Sequence, residues 1–292
     1  MPAPFHVTDK PPHPLTVGVF PGAGGVHLYH ALDSGYFAQA GLEVTLAEVV
    51  SSDQQMAGWN NADYDVMHTS PDHLLRSLLK RDPVAARAEG IGELAVHRRL
   101  GEVRSTDRWA VDNARSAFAF VLRAVLADVV GAPVAEDQLV PVGGTMQRFQ
   151  ALLAGAADGT TLHPPLDALA TEKGFPRLGG HLQVAPDLTT NVAVVPRASA
   201  DTWQIRAYLD VCRTSTEELL ASGAPGIETA LVRHGLPADA ARAAVPGLLG
   251  PSGLSTSPEV TLRGLAAVAA LRSRFDPGWQ PSLRLGSLIH EN

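Results

Sequence analysis

The chain has 292 residues, of which 45% are hydrophobic and 18% charged, with a net charge of −7. These values describe a globular chain with enough length for two modest domains or lobes, and they exclude a disordered one. The absence of a basic stripe excludes a general nucleic-acid surface, and no apolar stretch approaches the ~20 residues of a membrane span.

The elements alternate from the start. Residues 1–14 are polar and proline-rich, without the apolar run of a signal peptide. The chain is therefore expected to be cytoplasmic if Met1 is the natural start, and periplasmic if a leader has been removed. Residues 16–20 and 43–50 read as strands. Residues 28–39 between them read as a helix with Leu28, Ala31, Leu32 and Tyr36 on one face. The turn entering that helix, Gly22-Ala23-Gly24-Gly25, is rich in glycine but is not a P-loop, because no Gly-Lys-Ser/Thr follows. A turn from a first strand into a first helix is where an open α/β sheet offers backbone N–H groups to a ligand. A short helix is expected at 54–61, a strand at 65–69, and a helix at 71–80 with Pro71 in its first turn. One or two strands with weak periodicity follow in 83–100.

A second strand–helix series has the same plan. Strands are expected at 109–112, 138–142, 159–162 and 190–195. Helices are expected at 116–130, 146–154 and 166–173, the first with Phe120, Leu122, Val125, Leu126 and Val129 in the core and the second capped by Thr145. From residue 202 the chain reads as helical, with breaks near 223–226, 250–253 and 276–281. Cys212, the single cysteine, lies in this stretch and reads as a buried, inert thiol. With one cysteine there is no internal disulfide and no cysteine zinc site.

Three segments together resemble a known family. The first is Leu28-Tyr29 through Ala31-Leu32-Asp33-Ser34-Gly35-Tyr36-Phe37, with Gly41-Leu42-Glu43-Val44. The second is Asn60-Asn61-Ala62-Asp63-Tyr64-Asp65-Val66. The third is Val142-Gly143-Gly144-Thr145, Arg148, Ala151-Leu152-Leu153-Ala154-Gly155, Asp158, Leu162, Pro164-Pro165 and Gly174-Phe175. In this order they resemble the type II periplasmic-binding-protein superfamily, in the branch of sulfonate, nitrate and taurine solute-binding proteins and thiamine-pyrimidine-precursor proteins. The resemblance implies an α/β protein of two lobes, each with a mixed sheet, joined by two crossovers near 93–97 and 191–195. Lobe one would comprise 1–97 and 192–292, and lobe two 98–191. It further implies a small-molecule ligand between the lobes, hinge closure on it, and an ABC permease as partner. The family's exported members carry a signal peptide, which residues 1–14 do not supply.

In such a fold the ligand touches loops at the C-terminal ends of strands. Lobe one would offer Gly24, Gly25, His27, Ser51, His68, Thr69 and Ser70; lobe two would offer Asn113, Ser116, Thr145 and His163. His27, His68 and His163 are the candidate acid/base or oxyanion-donor groups, since each imidazole titrates near neutral pH. For His27 the alternative is an exposed histidine at a helix start. For His163 it is a hydrogen bond to a neighbouring loop. Ser116 reads first as a helix cap. Arg148 reads as a partner for an anionic ligand or for Asp158, and His73 reads as structural. His30 belongs to the helix surface or packing, while His6, His13, His181, His234 and His290 look incidental. Trp59, Tyr64 and Trp109 read as core packing more readily than as ring-stacking walls.

No cofactor and no metal are expected, because His27/His30 and His68/His73 do not have the spacing of a zinc signature. Two functions are compatible with these residues. One is non-catalytic binding of a small polar or anionic organic molecule, as an ABC-type solute-binding protein or a cytoplasmic relative. The other is a cytoplasmic enzyme on the same scaffold, using histidine acid/base chemistry on a carboxylate-bearing substrate, of lyase or decarboxylase type. A desulfinase of this superfamily would place a cysteine in the first-strand loop, where this chain has Gly25-Val26-His27.

Overall fold

The computed structural model describes residues 11–76, 78–280 and 284–290. His6 and most of the proline-rich start lie outside them. The protein is α/β, with two mixed five-stranded sheets. The first is built from β1 (His13–Val19), β2 (Leu42–Glu48), β3 (Val66–Thr69), β4 (Pro83–Glu89) and a late strand, β10 (Asn191–Pro196), in the order β2-β1-β3-β10-β4. The second is built from β5 (Ala95–Arg98), β6 (Trp109–Val111), β7 (Leu139–Pro141), β8 (Gly159–Leu162) and β9 (Arg177–Gly180), in the order β7-β6-β8-β5-β9.

The same rule organises both sheets. β1, β2 and β3 run parallel, and β10 inserts antiparallel between β3 and β4. β6, β7 and β8 run parallel, and β5 inserts antiparallel between β8 and β9. The chain thus crosses between sheets twice, through residues 90–94 and 181–190. The boundary expected at residue 97 runs through β5, which pairs in the second sheet. β10 is apolar and buried from Val192 to Val195, as a strand covered on both faces must be.

The helices follow the strands: α1 (Val26–Asp33), α2 (Tyr36–Gln39), α3 (Ser52–Asn60), α4 (Asp72–Leu75), α5 (Ala117–Val125), α6 (Thr145–Ala154), α7 (Leu166–Glu172) and α8 (His181–Val184). The tail adds α9 (Trp203–Arg233), α10 (Ala238–Leu248) and α11 (Leu262–Phe275). Among the described residues no helix is long and apolar enough to cross a membrane.

Several expectations are corrected. The helix expected at 28–39 is two, because Gly35 turns left-handed (φ 70°) between α1 and α2. The helix expected at 71–80 is a single turn, α4. The helix expected at 116–130 ends as α5 at Val125 and continues as a π turn to Val130, which leaves Val129 39% exposed and outside the core. β9 and α8 carry no periodicity that a sequence reading could catch. α11 packs on α5 as well as α4, so the tail expected to belong to lobe one also touches the second half. One buried cluster accordingly runs from Met67 and Val192 of the first sheet through Val96 and Trp109 of the second to Leu265 of α11. Trp59, Trp109 and Cys212 are all fully buried.

Candidate functional site

A cavity of about 710 Å³ lies between the two sheets. Its walls are the segments that leave the C-terminal ends of the parallel strands: after β1 (Gly22, Gly24, Gly25, His27), after β3 (Ser70, Asp72, His73), after β6 (Asp112, Ser116, Phe118), after β7 (Gly144, Thr145, Arg148) and after β8 (His163, Pro164). β3 itself contributes His68 and Thr69, and β4 contributes Glu89. Of the expected residues, Gly24, Gly25, His27, His68, Thr69, Ser70, Ser116, Thr145 and His163 line this space. Ser51 and Asn113 do not. Ser51 caps α3 by accepting the Gln54 N–H, and Asn113 Oδ1 accepts the Arg115 N–H, so both turn to their own backbone.

The first wall is organised by Glu89, which the sequence reading did not single out. Its side chain is almost fully buried, yet it meets two imidazoles. His27 Nε2–H donates to Oε1 at 3.0 Å, and His68 Nδ1–H donates to Oε2 at 2.5 Å. Asn191 Nδ2–H adds a bond of 3.1 Å to Oε2. The Tyr208 hydroxyl donates to His68 Nε2 at 2.6 Å; burial holds that phenol well above its usual range, so it keeps its proton. The Ser215 hydroxyl fixes the backbone of His27 through its carbonyl at 2.6 Å. Burial alone would raise Glu89, but the His68 and His27 imidazoles that donate to it reverse that and keep it a carboxylate. Burial pulls His27 below its usual value despite Glu89, and so favours a neutral ring. Both nitrogens of His68 are engaged. His27 Nδ1 makes no hydrogen bond among the described residues. His73 also lines the cavity; its Nδ1 pairs with the Thr69 hydroxyl at 2.7 Å.

The opposite wall is a relay. Arg148 Nη2–H donates to Thr145 Oγ1 at 2.8 Å, and the Thr145 hydroxyl donates to His163 Nε2 at 2.9 Å. His163 Nδ1–H then donates to the Pro164 carbonyl at 3.2 Å. Burial, with the Arg148 charge beside it, pulls His163 down to about 4, so the ring is neutral and both nitrogens are used. The expected cap is corrected here. Gly144, not Thr145, caps α6, and Thr145 spends its hydroxyl on His163. Arg148 is 1% exposed and its ion partner is Asp112, at 3.6 Å, not Asp158. Its Nε and Nη1 make no hydrogen bond among the described residues. Asp158 instead accepts the Arg108 backbone N–H. Ser116 both caps α5, through the Ala119 N–H, and donates to Asp112 at 2.6 Å.

His181 is not incidental. It is fully buried, accepts the Leu94 N–H on Nδ1 at 3.0 Å and pairs with the Ser252 hydroxyl at 3.1 Å, so it ties one crossover to the other and both to the tail. His30 lies against Glu218, and His234 stacks on Tyr29 with ring centroids 3.6 Å apart. Glu89 left one trace in the sequence. Arg87 and Glu89 are charges on an otherwise apolar, buried strand, which is costly unless they are partnered. Among the described residues, His27, His68 and Glu89 are also the one set whose donor atoms lie within 4.8 Å of one another and could share a metal ion.

Two strand-swapped sheets with a cavity between their C-terminal ends invite comparison with solved structures. No family model and no curated protein matches the chain. The ligand-binding component of an ABC-type import system from Staphylococcus aureus, solved with zinc bound, is similar with a TM-score of 0.78 at 12% identity, over 95% of this chain and 96% of that one. The alkanesulfonate-binding protein SsuA from Xanthomonas axonopodis pv. citri, bound to MOPS, gives 0.69 at 16% identity, over 89% and 91%. A Candida albicans protein described as having the generic periplasmic binding protein fold gives 0.73 at 12%, over 96% of each chain. The chain has the periplasmic-binding-protein fold. Within that fold, the cavity occupies the crevice where the strand order changes direction in both sheets, the place where open α/β sheets take ligands.

Proposed function

We propose that the protein binds a small organic molecule with a polar or anionic head between its two halves, as a solute-binding protein of the ABC type or a relative that works without a transporter. The single observation that carries this is the cavity itself. At about 710 Å³ it falls in the ~300–1,000 Å³ range of small-molecule sites. Apolar side chains such as Phe20, Leu28, Phe118, Met146 and Phe149 line it, alongside a few convergent polar groups from both walls. The neighbours of the same fold are named for alkanesulfonate binding and ABC import, which supports the class of ligand. Donors for an oxyanion come from the backbone at the starts of α5 and α6, where Ser116 and Gly144 sit. The two lobes, one built on the first sheet and the other on the second, with β5 in the second, would close by bending at residues 90–94 and 181–190.

Native mass spectrometry and calorimetry against aliphatic and aromatic sulfonates and carboxylates test the reading. One class should bind with a stoichiometry of one per chain. Silence across both classes, with no copurified small molecule, would remove it.

A second reading, an enzyme on this scaffold, is favoured by one observation. Glu89 holds the proton on His27 Nε2, which leaves Nδ1 as the basic atom of a cavity-lining imidazole. Turnover of a carboxylate substrate, seen by mass spectrometry and lost in His27→Ala, would decide for it.

A further inference from the structure

We propose that His27, His68 and Glu89 form a divalent-metal site of the zinc class in the wall of the cavity. Two imidazole nitrogens and a carboxylate oxygen are a donor set that suits such ions. Their donor atoms lie within 4.8 Å of one another, and the residues are only 3%, 5% and 8% exposed. Around a tetrahedral zinc ion with bonds of ~2.0–2.1 Å, ligand atoms sit roughly 3.3 Å apart. His27 Nε2 lies 3.0 Å from Oε1 and His68 Nδ1 2.5 Å from Oε2 of the same carboxylate, and the chosen donor atoms all lie within 4.8 Å of one another. The ion would be held after a small adjustment that sets one carboxylate oxygen and the two nitrogens around it.

The proton balance is simple. Each imidazole presents a lone pair to the metal by moving its proton to the other ring nitrogen, so no proton leaves the pair. His27 would carry it on Nδ1, which has no partner to lose. His68 would carry it on Nε2 and donate to the Tyr208 oxygen already 2.6 Å away. Tyr208, Asn191 on Glu89, and Ser215 on the backbone of His27 are then the groups that orient the three ligands, as outer partners do in metal sites.

Three protein ligands leave a fourth position open, and all three line the large cavity. The charge there is positive. One carboxylate offsets half of a divalent ion, and the Arg87 guanidinium, on β4 with Glu89 and bonded to Thr216, adds positive charge beside His27. An anionic fourth ligand, hydroxide or the acid group of an organic guest, is favoured at that position. The metal site does not depend on the organic-ligand reading, because the ion needs no guest to bind.

The test uses untagged full-length protein stripped with chelator, with Zn²⁺ or Co²⁺ alone as probe. Calorimetry should give one Zn²⁺ per chain, and Co²⁺ should give the intense visible bands of a tetrahedral site. His27→Ala and Glu89→Gln should each weaken Zn²⁺ by more than ~100-fold, Tyr208→Phe by about 10-fold as a positioning residue, and His290→Ala not at all. Zn²⁺ should raise the melting temperature of the wild type and of His290→Ala fully, of Tyr208→Phe by less, and of His27→Ala and Glu89→Gln not at all, and the metal-free melting curves report whether each variant folds. Absence of stoichiometric binding by the wild type, or binding unchanged in His27→Ala and Glu89→Gln, would overturn the proposal. Zn²⁺ binding without any organic ligand would leave the metal site standing even if every sulfonate and carboxylate failed.

Discussion

Arg272 clamps Asp72 with two parallel hydrogen bonds of 2.7 Å each, although 200 residues of chain separate them. Both side chains are 2% exposed, and the same guanidinium donates to the Arg115 carbonyl at 2.6 Å. The pair therefore fastens α11 to the wall after β3 and to the entry of α5. Removing one partner strands a buried charge, so Arg272→Met or Asp72→Ala should cost ~3–5 kcal/mol. Urea unfolding measures it, and a double variant should cost clearly less than the sum.

Gly247 of α10 lies against Pro164, and a Cβ there would sit 2.2 Å from the Pro164 ring. Gly247→Val should therefore push α10 away from the second half and hold the cavity open. The expected outcome is a folded protein with a larger radius of gyration by small-angle scattering and a ligand affinity at least ~10-fold weaker, equivalent to ~1.4 kcal/mol. An unchanged radius and affinity would mean that this contact does not set closure.

His181 titrates against the fold. Burial pulls it down to about 4 in the native state, and the Leu94 N–H occupies the nitrogen that would take the proton. The unfolded chain binds that proton below its ordinary value of 6.5. Stability from this group is thus complete above 6.5, falls as pH drops through the window between 6.5 and about 4, and is flat below it. Over that window His181→Gln should remove ~1.4 kcal/mol per pH unit of the slope, read from urea midpoints at a series of pH values.

His68 and His163 face one guest from opposite walls in the proposed function, but neither has a spare ring nitrogen. Their part is to hold the Glu89 and Thr145 geometry. His68→Ala and His163→Ala should each weaken ligand binding by ~10-fold or more, about 1.4 kcal/mol, while circular dichroism remains native. Calorimetry showing unchanged affinity in both variants would take them out of the site.

Much of the architecture could be read from residue patterns. The strand–turn–helix of residues 13–33 and the apolar run of β10 announce themselves by periodicity and turn chemistry. The glycine-rich turn pointed to the cavity because a strand–helix junction puts backbone donors there whatever surrounds it. Glu89 could not be read in this way. It lies on β4, 62 residues after His27 and 21 after His68, and its meaning comes only from the folding of two loops onto one strand. Arg148 reads as a partner of Asp158 because that acid follows it closely in sequence, whereas Asp112 lies well before it and only the sheet order brings Asp112 near. β9, α8 and the His181 tie consist of short, unpatterned segments held by tertiary contacts.

The most direct measurement is a crystal structure of the protein as purified from its own host, with density sought between the sheets. The account predicts a small organic molecule touching both the His27–Glu89 wall and the Thr145–His163 wall. Density confined to one wall, or ordered water alone in protein that also ignores every sulfonate and carboxylate offered, would contradict it.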